Sequence, residues 1–409
     1  MAGGQAYTRG ALEEAIDRYD AALTTLARLP ASPNRARRSI DIRLDLHAPL
    51  MTVGRTQRIV DLYPEAERLA RELDDPVRLG QVLQRMSQVA WLGGRYRAGA
   101  EYARQALTVA EVSDDAVTRL NAHYFLGLHR HALGDYRGAI PCFARLVEGP
   151  EAALAPRVIS VTIPMDVPGW CWLAFASVMT GDLARAEAAL RHAVEAAEVS
   201  EFPQARVIAW TVEAVVLTYA GRAARCVSTL ERALELCEKI GFVVWLAAVH
   251  SALGLVLVRV GRATSALPYL ERAVMINDKT GVRTYQAQRY SWWAEGLLGA
   301  GKLEEALARL ETALEMARAM EERGVEAEAL LARARVARAL GQDAEARVWF
   351  ERALAASAPL GARLVQAHGH LGLAAVLART GDEAAARQHR EAAFAIFRES
   401  GVTPWWPES

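Results

Sequence analysis

The sequence predicts an all-α protein, a right-handed α-solenoid of about ten helix-turn-helix repeats with a 40-residue period, and three observations carry that expectation. Ten glycines recur at Gly10, Gly54, Gly94, Gly134, Gly181, Gly221, Gly261, Gly301, Gly341 and Gly381, and seven of the nine gaps between them are 40 residues. Five positions after the glycine the residue is small in all but one repeat (Ile59), and twelve positions after it stands alanine in all but one (Leu146). Nine positions after it the residue is usually large and apolar, as in Tyr19, Tyr63, Phe143, Leu190, Leu230, Leu270, Leu310 and Phe350. Offsets of 5, 9 and 12 are separated by four and three, which is one face of a helix.

Each element of the unit follows from this pattern. The segments before the glycines, such as 170–180 and 290–300, read as a first helix. The glycine makes the turn because it reaches left-handed backbone angles without a Cβ clash. The second helix then presents its small residues, so that two helix axes approach closely while the bulky residue fills the groove between them. A second mark about twenty residues on ends it: Asp74, Asp114, Gly241, Gly281, Gly361 and Gly401. One such pair cannot bury its apolar face alone, so neighbours stack.

The expected organisation is one continuous solenoid. It comprises an incomplete first repeat over 1–28, repeats over 29–148, a proline-rich insertion over 149–169, repeats over 170–401 and a tail over 402–409. The first repeat has too few residues before Gly10 for a full first helix, while its second helix keeps an apolar face (Leu12, Ile16, Tyr19, Leu23). The expectation is therefore that the natural chain continues N-terminally or that a partner covers this face. The insertion holds Pro150, Pro156, Pro164 and Pro168 around the β-branched run 158–163. Prolines at that density break a helix, and the segment is expected to fold over the apolar middle of the inner face as a lid or plug.

Composition removes several classes of function. With 48 Lys+Arg against 48 Asp+Glu and an apolar fraction of 52%, the chain is neither disordered nor a polyanion binder, and it has no apolar run long enough to cross a membrane. No nucleic-acid or membrane partner is expected, and the chain reads as soluble and cytoplasmic. The cysteines, Cys142, Cys171, Cys226 and Cys237, form no C-x-x-C pair, and Cys226 fills an alanine slot of the repeat. His129, His131, His368 and His370 do not make a metal motif. The stretch from Gly296 to Leu303 approaches a phosphate-binding loop, but a helix precedes it, Leu303 replaces the required hydroxyl, and Gly301 is a repeat glycine. The expectation is a protein with no catalytic residues, no metal and no cofactor, which is not an enzyme.

The small residues at these offsets, with Leu126-Gly127 and Leu253-Gly254 eight and seven positions before the turn, resemble the tetratricopeptide (TPR) repeat. HEAT or armadillo repeats match the length better, at about 40–47 residues against about 34 for TPR, but the alanine spacing is that of TPR. The stretches Ser39–Leu46, His131–Ile140, Ala367–Leu373 and Ala393–Gly401 further resemble the C-terminal TPR region of bacterial proteins joining a class III adenylate cyclase to an AAA/STAND-type ATPase. The superhelices of maltose-regulator and LuxR-type activators are similar. The residues present match no cyclase, ATPase or basic helix-turn-helix part, so those activities are not carried over.

Resemblance to TPR proteins places a binding stripe 13, 10, 6 and 3 residues before each turn glycine, one face of the first helices lining a concave surface. It yields Gln84, Gln88, Trp91, Tyr124 and His131 early, Phe175 in an apolar middle, and Gln288, Ser291, Glu295, Arg335 and Arg338 late. Trp170, Trp172, Trp210, Trp292 and Trp293 read as core. The Lys/Asn carboxylate clamp of chaperone-binding TPRs is missing. The expected function is a non-catalytic scaffold or regulatory module, in bacterial signalling, that binds a protein or peptide partner. The alternatives are that the stripe residues simply pack on one another, or that the groove senses a small-molecule effector.

Overall fold

The computed structural model describes residues 12–404 apart from 54, 158, 161 and 162. The turn at Gly10 and the one at Gly54, and parts of the 158–163 run, therefore lie outside the described residues. Nineteen α-helices are found among the described residues. The fold is a TPR-like helical repeat, as the spacing predicts.

The chain divides into two compact units, Met1–Leu126 and Gly127–Ser409. In the first, Leu12–Arg28 (α1), Pro33–Thr52 (α2), Thr56–Glu72 (α3), Pro76–Leu92 (α4) and Tyr96–Val112 (α5) pack in sequence. The helix Ala116–Ala132 (α6) carries the boundary. The second unit holds Tyr136–Val147 (α7), Asp166–Met179 (α8), Leu183–Val199 (α9), Pro203–Tyr219 (α10), Val227–Lys239 (α11), Val243–Arg259 (α12) and Ala263–Thr280 (α13). It continues with Gln286–Gly299 (α14), Leu303–Ala319 (α15), Arg323–Ala339 (α16), Asp343–Ser357 (α17), Arg363–Arg379 (α18) and Glu383–Ser400 (α19).

The repeat signature has a direct structural reading. The described turn glycines have positive φ, from +69° at Gly94 to +89° at Gly381. The second marks do too, including the non-glycines Asp74, Asp114 and Glu321 at +49°, +50° and +57°. The stripe alanines, such as Ala106, Ala193, Ala233, Ala273, Ala313, Ala353 and Ala393, have no exposed surface. The glycine of each Leu-Gly pair lies against the bulky residue of the second helix: a Cβ on Gly127 would meet the Phe143 ring at 2.6 Å, and one on Gly254 would meet Leu270 at 2.5 Å. Helix axes thus approach as closely as the small residues predicted.

Within the second unit each first helix packs on its own second helix and also on the first helix of the next repeat, running α8, α10, α12, α14, α16, α18. Burial follows. The first helix α18 is buried nearly all round, whereas the second helix α19 buries a single stripe (Ala386, Ala393, Phe397). First helices are therefore inside and second helices outside.

Several details differ from expectation. First helices start earlier than 170 and 290, at Asp166 and Gln286, because Pro168 sits in the opening turn, where its missing N–H is not needed. Among its described residues the insertion forms a 3-10 turn over Ala152–Arg157 and a two-residue antiparallel ladder, Ile159–Ser160 (β1) with Ile163–Pro164 (β2). Ala155, Ile163 and Met165 are buried, and the Met165 amide donates to the Ala155 carbonyl at 3.1 Å. The 3-10 turn packs on α7 and α8, and β2 on α10. The tryptophans divide: Trp172 and Trp292 are buried, but Trp170, Trp210 and Trp293 are only half-buried. Each of these three is covered by a side chain from the second helix of its own repeat: His192 stacks at 4.6 Å, Arg232 lies at 4.6 Å and Arg309 at 4.2 Å.

The near match to a phosphate loop is a helix end: Gly296 and Gly299 lie in α14, and Gly301 makes the turn at φ +77°. All four cysteines are free and buried. Among the described residues no helix is long and apolar enough to cross a membrane.

Candidate functional site

In the second unit the first helices curl until repeats distant in sequence touch. The Tyr136 hydroxyl lies against the backbone of Gly324, where a Cβ would come within 1.8 Å of it. A Cβ on Gly134 would meet the Gly324 nitrogen at 3.1 Å. Beyond α19 the Thr403 amide donates to the Ala220 carbonyl at 3.4 Å. The inner face of this unit is consequently filled by its own side chains.

Two joined clusters occupy it. The first is aromatic and centres on His131, whose ring lies 4.7 Å from Phe175, 5.2 Å from Trp172 and 5.0 Å from Tyr136. The Tyr285 ring stacks on Trp172 at 5.7 Å and its hydroxyl reaches His131 Nδ1 at 2.8 Å. Tyr285 comes from the connection between α13 and α14 and holds a left-handed φ of +51°, a conformation that costs about 1–2 kcal/mol for a residue with a side chain. Burial pushes the His131 imidazole down to about 3, so it is neutral, and the ring closes the cluster as an uncharged plane.

Phe175 passes the chain of contacts to Tyr219 at 5.9 Å, and Tyr219 opens the second, polar cluster. The Tyr219 hydroxyl donates to Glu328 Oε2 at 2.8 Å. Burial raises the Glu328 carboxyl to about 7, with the nearby Glu295 pushing the same way against hydrogen bonds from Tyr219 and Gln288. Glu295 itself is ion-paired with Arg259, and Arg335 stands 3.9 Å from it. Burial lowers Arg335 to about 9, with Arg259 and Arg338 repelling its charge while Glu295 favours it. His368 is driven well below its ordinary range by burial and by the same two arginines, Arg259 and Arg335.

Of the residues placed on the stripe by sequence, the structure brings His131, Phe175, Gln288, Glu295, Arg335 and Arg338 into this interior, and Ser291 is wholly buried beside them on α14. The other four lie in the first unit. There Gln84 Nε2 reaches Asn121 Oδ1 at 3.5 Å, Gln88 Oε1 accepts from Arg85 at 3.1 Å, Tyr124 meets Phe125 edge-on at 5.3 Å, and Trp91 is half-buried at the end of α4. These side chains are largely engaged in internal packing. Sequence reasoning missed Trp172, read as plain core, and Tyr285, Tyr219 and Arg259. Tyr219 and Arg259 stand two positions before successive turn glycines, an offset outside the assumed stripe, whereas His368 lies thirteen before Gly381, on the stripe itself.

No protein-family model and no curated protein matches the sequence. Solved structures do resemble the fold. A Rap protein complexed with competence and sporulation factor superposes with a TM-score of 0.59 at 13% identity, covering 89% of this chain and 99% of that one. NprR in complex with its cognate peptide NprX gives 0.58 at 13% identity, with 88% and 99% covered. The Rap conjugation gene regulator of plasmid pLS20 in complex with the Phr* peptide gives 0.55 at 14%, with 86% and 96% covered. The class of protein is thus a TPR-like helical-repeat protein.

Proposed function

We propose that this chain is a non-catalytic regulatory module that binds a peptide, or a short segment of a protein, on the inner face of its first helices. The observation that carries the reading is the composition of that face in the second unit. Its aromatic rings (His131 from α6, Trp172 and Phe175 from α8) and its polar and charged groups (Gln288 and Glu295 from α14, Glu328 and Arg335 from α16) all come from first helices, the mixture that recognises a peptide through both its side chains and its backbone. Two solved proteins of similar fold were each captured with a peptide, and a third with competence and sporulation factor, which supports the same reading.

The slot between His131 and Trp172 takes an aromatic ring, and the chain fills it with its own Tyr285. A bound peptide replaces Tyr285 there, releasing a residue held at left-handed φ. The role is regulatory, in a signalling pathway, with no reaction catalysed. The test is affinity selection of random heptapeptides on the purified chain, with binders identified by mass spectrometry. Selected peptides should raise the melting temperature with concentration, as mass action requires of a ligand that prefers the folded state. Trp172→Ala should abolish selection while a surface change such as Val199→Ala leaves it intact. Failure to select any peptide at micromolar concentration would refute the reading.

A further inference from the structure

The connection that delivers Tyr285 departs from the repeat it belongs to. The first helices α10, α12, α16 and α18 each have 17 residues and begin 18 positions before their turn glycine. Helix α14 has 14 residues and begins 15 positions before Gly301, although the 40-residue period is unbroken there. Its opening turn is therefore unwound, with no inserted residue to account for it. Ala205, Trp245, Val325 and Val365 stand at the offset of Tyr285, and all four are helical. Among these five positions only Tyr285 takes a left-handed φ, and the turn of helix given up there carries its ring to His131 and Trp172.

The place it reaches is one that reads a hydroxyl. The Tyr285 ring lies nearly parallel to Trp172, at 19°, and edge-on to His131. His131 is 4% exposed and neutral, and a neutral imidazole has one donor nitrogen and one acceptor. Its Nδ1 meets the Tyr285 hydroxyl at 2.8 Å, while the buried Nε2 has no hydrogen-bond partner. A phenyl ring in the slot would leave both nitrogens unpaired. A phenol pairs with Nδ1 in either tautomer, because its oxygen both donates and accepts. A buried group that pairs with a hydroxyl discriminates against a ligand that lacks one.

Building on the peptide-binding reading above, we infer that the bound peptide carries a tyrosine, which takes the place of Tyr285 between His131 and Trp172 with its hydroxyl on His131 Nδ1. Tyr285 is then an internal stand-in for the ligand's own side chain and competes with it for the slot.

The experiment selects random heptapeptides on the full chain, then re-synthesises the binders with each tyrosine replaced by phenylalanine. Tyrosine should be enriched, and the phenylalanine analogue should bind the unmutated chain at least about tenfold more weakly, the loss of one buried hydrogen bond. That difference should vanish on His131→Phe, which keeps a ring and removes both nitrogens, as a double-mutant cycle requires of a direct pair. Tyr285→Phe weakens the internal competitor and should bind the tyrosine peptide about fivefold more tightly. Unchanged far-UV circular dichroism confirms that each variant folds, and the comparison of the two peptides on the unmutated chain stands without either variant. Selected peptides without tyrosine enrichment, or a phenylalanine analogue that binds equally well, overturn the inference while leaving peptide binding intact. A hydroxyl preference that persists undiminished on His131→Phe overturns it too, because the hydroxyl is then read elsewhere. No selection of any peptide overturns both.

Discussion

Replacing Glu328 by glutamine should make the protein more stable at pH 8 and leave it nearly unchanged at pH 5. The carboxyl loses its proton at about 7 inside the fold rather than at its ordinary 4.5. Holding a proton more tightly when folded means that stability is full below the ordinary value and falls as the pH rises through about 7. At about 1.4 kcal/mol per pH step, the buried anion costs about 3 kcal/mol above pH 7. Glutamine has the shape of the protonated acid, its carbonyl can accept from the Tyr219 hydroxyl, and it never ionises. The variant should therefore gain up to about 3 kcal/mol at pH 8, on the order of 3–5 °C in melting temperature for a chain of this length. The wild-type curve alone will not show this. His47, His131 and His368 are held neutral by burial, so their contribution is present above the ordinary histidine value and lost as pH falls, a slope of opposite sign over the same interval. The assay is accordingly the difference between variant and wild-type melting curves, followed by circular dichroism from pH 5 to 8. A difference that does not grow with pH, or a variant less stable at pH 8, would refute the assignment and show that ionised Glu328 is stabilised by its arginine neighbours.

Three further outcomes follow from geometry. Gly324→Ala places a Cβ within 1.8 Å of the Tyr136 hydroxyl, and thermal denaturation should show a loss of about 1–3 kcal/mol from forced repacking. Tyr285→Phe removes the 2.8 Å hydrogen bond to His131, which should cost about 1 kcal/mol in urea denaturation and increase hydrogen exchange near the start of α14. Glu321→Gly relieves a side chain held at φ +57° and should raise stability by up to about 1 kcal/mol, read as a higher melting temperature, because strain in the native state outweighs the extra freedom glycine gives the unfolded chain.

The repeat was legible because its constraints are local. A turn that needs positive φ selects glycine, and a close helix approach selects alanine, so Gly134, Ala139 and Phe143 announce their roles at fixed offsets. The inner face was half legible for the same reason: the stripe reached His131, Phe175, Glu295 and Arg335. What it could not reach is set by how far the repeats curl. Tyr285 enters the aromatic cluster from a connection whose length and left-handed turn no periodicity encodes, and Arg259 finds Glu295 across neighbouring helices at an offset the stripe does not cover. The same curl explains why Trp172, sound as core by composition, is also the wall of the Tyr285 slot. The pairing of Ile159–Ser160 with Ile163–Pro164 escaped because so short a ladder leaves almost no trace in a proline-rich stretch.

The meeting of Tyr136 with Gly324, and of Ala220 with Thr403, has a consequence for how the second unit unfolds. Ordinary repeat arrays behave as one-dimensional chains in which only adjacent units couple, so they can be shortened or frayed from either end piecemeal. Links spanning some 180 residues break that rule. Trimming the last helix here removes support from the middle of the array, which favours concerted melting and places a loop-closure penalty on folding that a linear array does not carry.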